Sequence, residues 1–172
     1  MSYKTPDEAR EAIMQWLNEN THNIKLIEDP SSSFHLEIDY PLGTMKRQRV
    51  IQPKEYPGLC VLLNGVAIAD EHLEKMKEMA EEDREKFYAE VRRDLIFLEN
   101  SYDMNTDEKG IVKQVQFSFE FYFDSLTKTQ LFKGLLLNHR TLLYIINVFN
   151  EKFGVPAMPE QPETAAPAQQ IQ

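Results

Sequence analysis

The sequence predicts an α+β domain in which an antiparallel β-sheet packs against an N-terminal and a C-terminal helix. Three observations predict it. From Ile111 to Leu126, the residues Val115, Phe117, Phe119, Phe121 and Phe123 fall on alternate positions, with Gln114, Gln116, Ser118 and Glu120 between them. Such alternation describes a strand with one face buried and one face wet. Near the N-terminus, Ala9, Ala12, Ile13, Trp16 and Leu17 recur at helical spacing. Towards the C-terminus, Leu131, Leu135, Leu142, Ile145, Ile146, Phe149 and Phe153 form a wide apolar helical face. The two helices supply apolar stripes, and the aromatic strand supplies a wall for them to cover.

The elements follow in order. Thr5, Pro6 and Glu8 read as a capping box with proline in the first turn, which starts the first helix. Ile24 and Leu26 mark a short strand, and Asp29-Pro30-Ser31-Ser32-Ser33 a turn. Phe34, Leu36, Ile38 and Tyr40 alternate with His35, Glu37 and Asp39 in a second strand. Pro41 to Thr44 turns the chain into a more polar third strand, Met45 to Gln52, closed by Pro53 and either an edge or solvent-facing on one side. Leu59 to Leu63 is apolar throughout, as in a strand paired deep in a sheet, and Asn64-Gly65 reads as a tight turn after it.

Asp70 is placed to cap a helix carrying Leu73, Met76 and Met79. The acidic run Glu81-Glu82-Asp83 interrupts the apolar stripe. Two helices are therefore expected, bent near Ala80 to Asp83, the second running to about Tyr102. Asn105 to Gly110 reads as a polar turn into the aromatic strand. Thr127 with Gln130 is a second capping box, and Leu126 with Leu131 is spaced as a hydrophobic staple. Gly154 and Pro156 stop the last helix. The expected order is α-β-β-β-β-α-α-β-α, one domain over residues 1–154. Residues 155–172, rich in Pro, Ala and Gln, are expected to be a disordered tail, because they cannot bury enough apolar area to offset ordering entropy.

At 172 residues the chain is long enough to hold a core without disulfide or metal. A formal charge of −9 argues against nucleic acid or an anionic membrane as a partner, since both select clustered Lys and Arg. The single cysteine, Cys60, sits among apolar neighbours, and no apolar N-terminal segment or membrane-length run is present; a cytoplasmic location is expected.

With these elements in place, the chain resembles a family of small archaeal proteins of unknown function, grouped with the α+β fold of type III secretion chaperones. Ile13, Trp16 and Leu17 in the first helix carry the resemblance, with Asp29-Pro30 and Phe34, Leu36 and Ile38 in the strand pair. Asp83-Arg84-Glu85 with Phe87 and the junction Phe123 to Lys128 complete it. It covers residues 1 to about 153. Most of these are core and cap positions, so the resemblance implies a fold rather than an activity. It carries no catalytic residues, and it implies a homodimer that binds extended segments of partner proteins.

The candidates for chemistry are few. His35, Glu37 and Asp39 share one strand face, and a histidine with two carboxylates could bind a metal. Alternation alone also places polar residues there, and a solvated strand face is the simpler reading. His22, His72 and His139 lie on different elements without ligand spacing. Cys60 lacks the electropositive, partly exposed surroundings of a nucleophile. Lys46, Arg47 and Arg49 form a basic cluster, which could touch a phosphate or an acidic partner segment, or simply charge an edge strand. The acidic run from Glu71 to Glu85, interleaved with Lys75, Lys77, Arg84 and Lys86, reads as a solvated helix face. No catalytic residues and no cofactor are assigned. The expectation is a non-enzymatic protein-binding module, chaperone- or adaptor-like, acting as a homodimer. The alternative is a small-ligand or metal-binding protein using the face of His35, Glu37 and Asp39.

Overall fold

The computed structural model describes residues 3–20, 22–41 and 47–156. Helix α1 spans Pro6–Glu19, followed by strands β1 (Ile24–Leu26), β2 (Ser32–Asp39), β3 (Arg47–Pro53) and β4 (Leu59–Ala67). Helices α2 (Asp70–Glu78) and α3 (Glu81–Ile96) come next, then strands β5 (Ser101–Thr106) and β6 (Val112–Tyr122), then helix α4 (Lys128–Phe153). The strands form one sheet in the order β1-β2-β3-β4-β6-β5. Each neighbouring pair is antiparallel. The α+β class and the antiparallel sheet are as the sequence predicts.

The end signals act as physics requires. The Thr5 side chain accepts from the Glu8 amide at 3.2 Å, and Glu8 reaches back to the Thr5 amide at 3.3 Å. At α4 the Thr127 hydroxyl accepts from the Gln130 amide at 3.2 Å, which is only half of the expected box. Leu126 and Leu131 are both buried in one cluster, as a staple requires. Helix α2 is preceded by Ala69 rather than capped by Asp70, which lies in its first turn, where a carboxylate suits the helix dipole.

All four helices cover the same sheet face. Ala9, Ile13 and Leu17 of α1 join Phe34, Leu36, Ile38, Val50, Leu62 and Phe121 with Leu131 and Leu135 of α4. A second cluster joins Met76, Phe87, Tyr88, Val91 and Leu95 to Val115, Phe117, Ile145 and Phe149. The odd-numbered side of β6 is therefore the core side. Phe119 is only half-buried there but packs against the first cluster.

Four expectations are corrected. Helix α3 ends at Ile96 instead of running to Tyr102, and Ser101–Thr106 is a strand. Its apolar side is only Tyr102 and Met104, which pack against the second cluster, and it gives β6 the second strand partner its backbone needs. Asn64-Gly65 is no turn: β4 runs straight through it, paired with β6 from Leu59↔Tyr122 to Ala67↔Gln114. Glycine serves there for close approach, since a Cβ at Gly65 would lie 3.1 Å from the Val115 carbonyl oxygen. Of the two placements expected for β3, the solvent-facing side holds and the edge does not: the strand is interior to the sheet. Arg84 is buried rather than part of a solvated face, and donates to the carbonyls of Met76 at 3.5 Å and Lys109 at 3.3 Å. On the charged helix faces, Glu82 and Lys86 pair at 2.8 Å and Lys75 donates to the Phe153 carbonyl. Met45, Lys46, most of the turn after Pro41, and residues 157–172 lie outside the described residues.

Candidate functional site

With the helices on one face, the other face of the sheet is uncovered among the described residues. It carries the even-numbered positions of β6, Gln114, Gln116, Ser118, Glu120 and Tyr122. Their cross-strand partners Ala67, Gly65, Leu63, Val61 and Leu59 continue it on β4, and Ile51, Arg49 and Arg47 on β3. Leu59, Val61, Leu63 and Ile51 are half-buried and make an apolar spine, and Tyr122 ends it 58 % exposed. Arg47 and Arg49 border the spine on one side. Glu120 of β6 and Asp103 of β5 border it on the other.

The sheet divides within this face. Strands β3 and β4 pair only over Arg49↔Leu63, Val50↔Leu62 and Ile51↔Val61. Their outer partners continue further: β2 follows β3 to Asp39↔Arg47, and β6 follows β4 to Ala67↔Gln114. The two halves of the sheet thus diverge beyond Arg49 and Leu63 and leave a fork. It is a cavity of about 240 Å³ with Glu37, Arg47 and Arg49 on one wall and Leu63, Asn64 and Gly65 on the other. Gln114 and Gln116 complete its lining. Past the last β3 partner, the Gly65 amide is bonded by Asn64 Oδ1 at 2.7 Å. The side-chain donor of Asn64, Nδ2, is buried without a partner among the described residues. Gln48, one residue beyond the paired segment of β3, is fully buried and donates to the Leu135 carbonyl at 2.9 Å; its Oε1 has no partner among the described residues.

His35, Glu37 and Asp39, the weak candidates for a metal, each have a separate partner. His35 Nδ1 lies 3.2 Å from Asp29 Oδ2. The Glu37 carboxylate pairs with Arg47 at 3.2 Å, and Asp39 accepts from Asn23 Nδ2 at 3.2 Å. No group of three or more His, Cys, Asp or Glu among the described residues could hold a metal ion. Arg47 and Arg49 do come together at the fork, and Arg49 has no hydrogen-bond or ion-pair partner among the described residues. Lys46 lies outside them. Cys60 is fully buried, and burial pushes its thiol up to about 12, so thiolate chemistry has no footing there.

Three constellations were missed in the sequence. Asp29 gathers the Ser31 hydroxyl at 2.6 Å, the Ser32 hydroxyl at 2.5 Å and the Ser31 amide at 3.0 Å. These bonds, the Ser31 hydroxyl foremost, hold its carboxyl well below the usual carboxylate range. His22 and His139, distant in sequence, flank Tyr40 at ring separations of 5.4 and 6.2 Å, and burial raises the phenol. Asn100, Asn138 and Thr141 form a buried polar network whose Asn138 Nδ2 donates to the Leu62 carbonyl at 3.2 Å. The first was signalled by Asp-x-Ser-Ser; the others join elements that only the fold brings together.

No helix among the described residues is long and apolar enough to cross a membrane. An uncharacterized protein from Methanothermobacter thermautotrophicus has a similar structure, with 22 % sequence identity and a TM-score of 0.78 over 85 % of this chain and 99 % of that one. The YbjN structure from E. coli is more distant, at 9 % identity and a TM-score of 0.47 over 86 % and 96 % of the two chains. No curated protein matches the sequence. The model of the uncharacterized conserved protein family DUF2299 matches residues 9–149. The chain belongs to the DUF2299 family.

Proposed function

We propose that this protein is a non-enzymatic protein-binding module that acts as a homodimer through the uncovered face of its sheet. The apolar spine of Ile51, Leu59, Val61, Leu63 and Tyr122 carries the reading. A contiguous apolar strip rimmed by charge is what interaction surfaces present. The face suits a second copy in particular. A two-fold axis along the central strands would set the Arg47 and Arg49 flank of each copy against the Glu120 and Asp103 flank of the other, a self-complementary arrangement. Six strands spaced at ~4.8 Å and a nine-residue strand rising ~3.4 Å per residue give a face on the order of 700 Å². That is close to the roughly 800 Å² per partner of a standard interface.

The resemblance to type III secretion chaperones, whose domains form dimers and bind extended partner segments, points the same way. Light scattering on the purified chain tests the reading. The expected mass is twice the 20.1 kDa of one chain, falling to one chain in Val61→Glu and Tyr122→Glu with unchanged circular dichroism. A monomer throughout the micromolar range would sink it. The fork between β3 and β4 favours a second reading, small-ligand binding, and its chemistry follows.

A further inference from the structure

We propose that the fork between β3 and β4 is a binding site for a carboxylate group, with Arg49 as its principal ligand. This deepens the small-ligand reading of the fork and does not rest on the homodimer reading, in which the acidic flank of a second copy would compete for the same guanidinium. Arg49 stands directly opposite Glu37 in the register, yet the Glu37 carboxylate pairs with Arg47. The Arg49 guanidinium is left with no partner among the described residues at the mouth of a cavity. A planar guanidinium matches a carboxylate with two parallel hydrogen bonds.

The rest of the lining agrees with a singly charged, hydrogen-bond-accepting guest. Two guanidinium groups and one carboxylate give the fork a net charge of +1, which balances one carboxylate rather than a phosphate dianion. Gln114 and Gln116 add neutral amide donors opposite the arginines. Gly65 keeps the fork clear. A Cβ there would meet Gln114 Nε2 and Gln116 Cγ at 3.4 Å, so any larger residue would press on the amides that line the site.

The carboxylate could belong to a small molecule or to an acidic side chain of a protein segment, and two arms separate these sources. The full-length ¹⁵N-labelled protein is titrated with sodium succinate, and in parallel with a glutamate-rich decapeptide, each against sodium chloride of equal ionic strength. Saturable shifts confined to Arg49, Gly65, Gln114 and Gln116 are expected, with affinity reduced roughly tenfold or more in Arg49→Gln. Arg49 is exposed, so that variant keeps the fold. Saturation with succinate assigns the site to free carboxylates; saturation with the peptide alone assigns it to a protein segment. Shifts reproduced by chloride, shifts spread over the surface, or shifts unaltered in Arg49→Gln overturn the proposal. The light-scattering mass is read separately, so loss of the dimer and loss of this site are distinguishable.

Discussion

Gly134 of α4 lies so close above Phe119 of β6 that a Cβ at position 134 would stand 2.6 Å from Phe119 Cδ1, and 2.5 Å from Leu62 Cδ1. The helix is seated on the sheet at a point where only a hydrogen fits. Gly134→Ala therefore forces the helix outward or the ring aside. Overpacking of this kind costs roughly 1–3 kcal/mol. The better helix propensity of alanine offsets roughly 1 kcal/mol of that. A melting temperature lowered by several degrees is expected. An equal or raised melting temperature would mean that the helix has slack over Phe119.

The buried amide network ties α4 to β4 and to the segment before β5. Asn100 Nδ2 donates to Asn138 Oδ1 at 2.5 Å, Thr141 donates to Asn100 Oδ1 at 3.0 Å, and Asn138 donates to the Leu62 carbonyl. Asn138→Ala strands the Asn100 donor in the interior and should cost roughly 1–3 kcal/mol. Asn100→Ala in the Asn138→Ala background should then cost much less than it does alone. Chemical denaturation of the three variants measures this, and strictly additive losses would show that the groups do not act together.

Acid sensitivity should report on Asp29. Its folded carboxyl is held below the ordinary 3.8 by the Ser31 hydroxyl first, then by the Ser32 hydroxyl and the Ser31 amide. A depressed acid releases more protons when folded, so its contribution is complete above pH 3.8 and fades as the pH falls below that value. Asp29→Asn removes the titration. The stability difference between wild type and variant should be constant near neutrality and shrink below pH 3.8 in thermal unfolding scans. A difference that grows on acidification would contradict the bonding at this turn.

The elements that depend on local periodicity were legible from residues alone. The stripe from Val115 to Phe123, the Thr5 and Glu8 box and the break between α2 and α3 all follow from side-chain spacing and capping chemistry, which act within a few residues. Strand β5 was not legible, because Ser101–Thr106 offers only Tyr102 and Met104 as an apolar side and becomes a strand when β6 gives it an edge. Asn64-Gly65 misled for a related reason. The same dipeptide suits a turn or a tight approach, and the pairing with Phe117 and Gln116 decided which.

Sequence by itself determined the α+β class, the core side of β6 and the burial of Cys60, since each rests on the pattern of apolar residues along one segment. Tertiary structure alone decided that all four helices share one face and that β3 and β4 part after Arg49 and Leu63. Arg47 and Arg49 first appear as charge on an edge strand; only the pairing of distant strands makes them the wall of a fork. Register and strand order are long-range choices, set by which backbones meet, and no short stretch of residues encodes them.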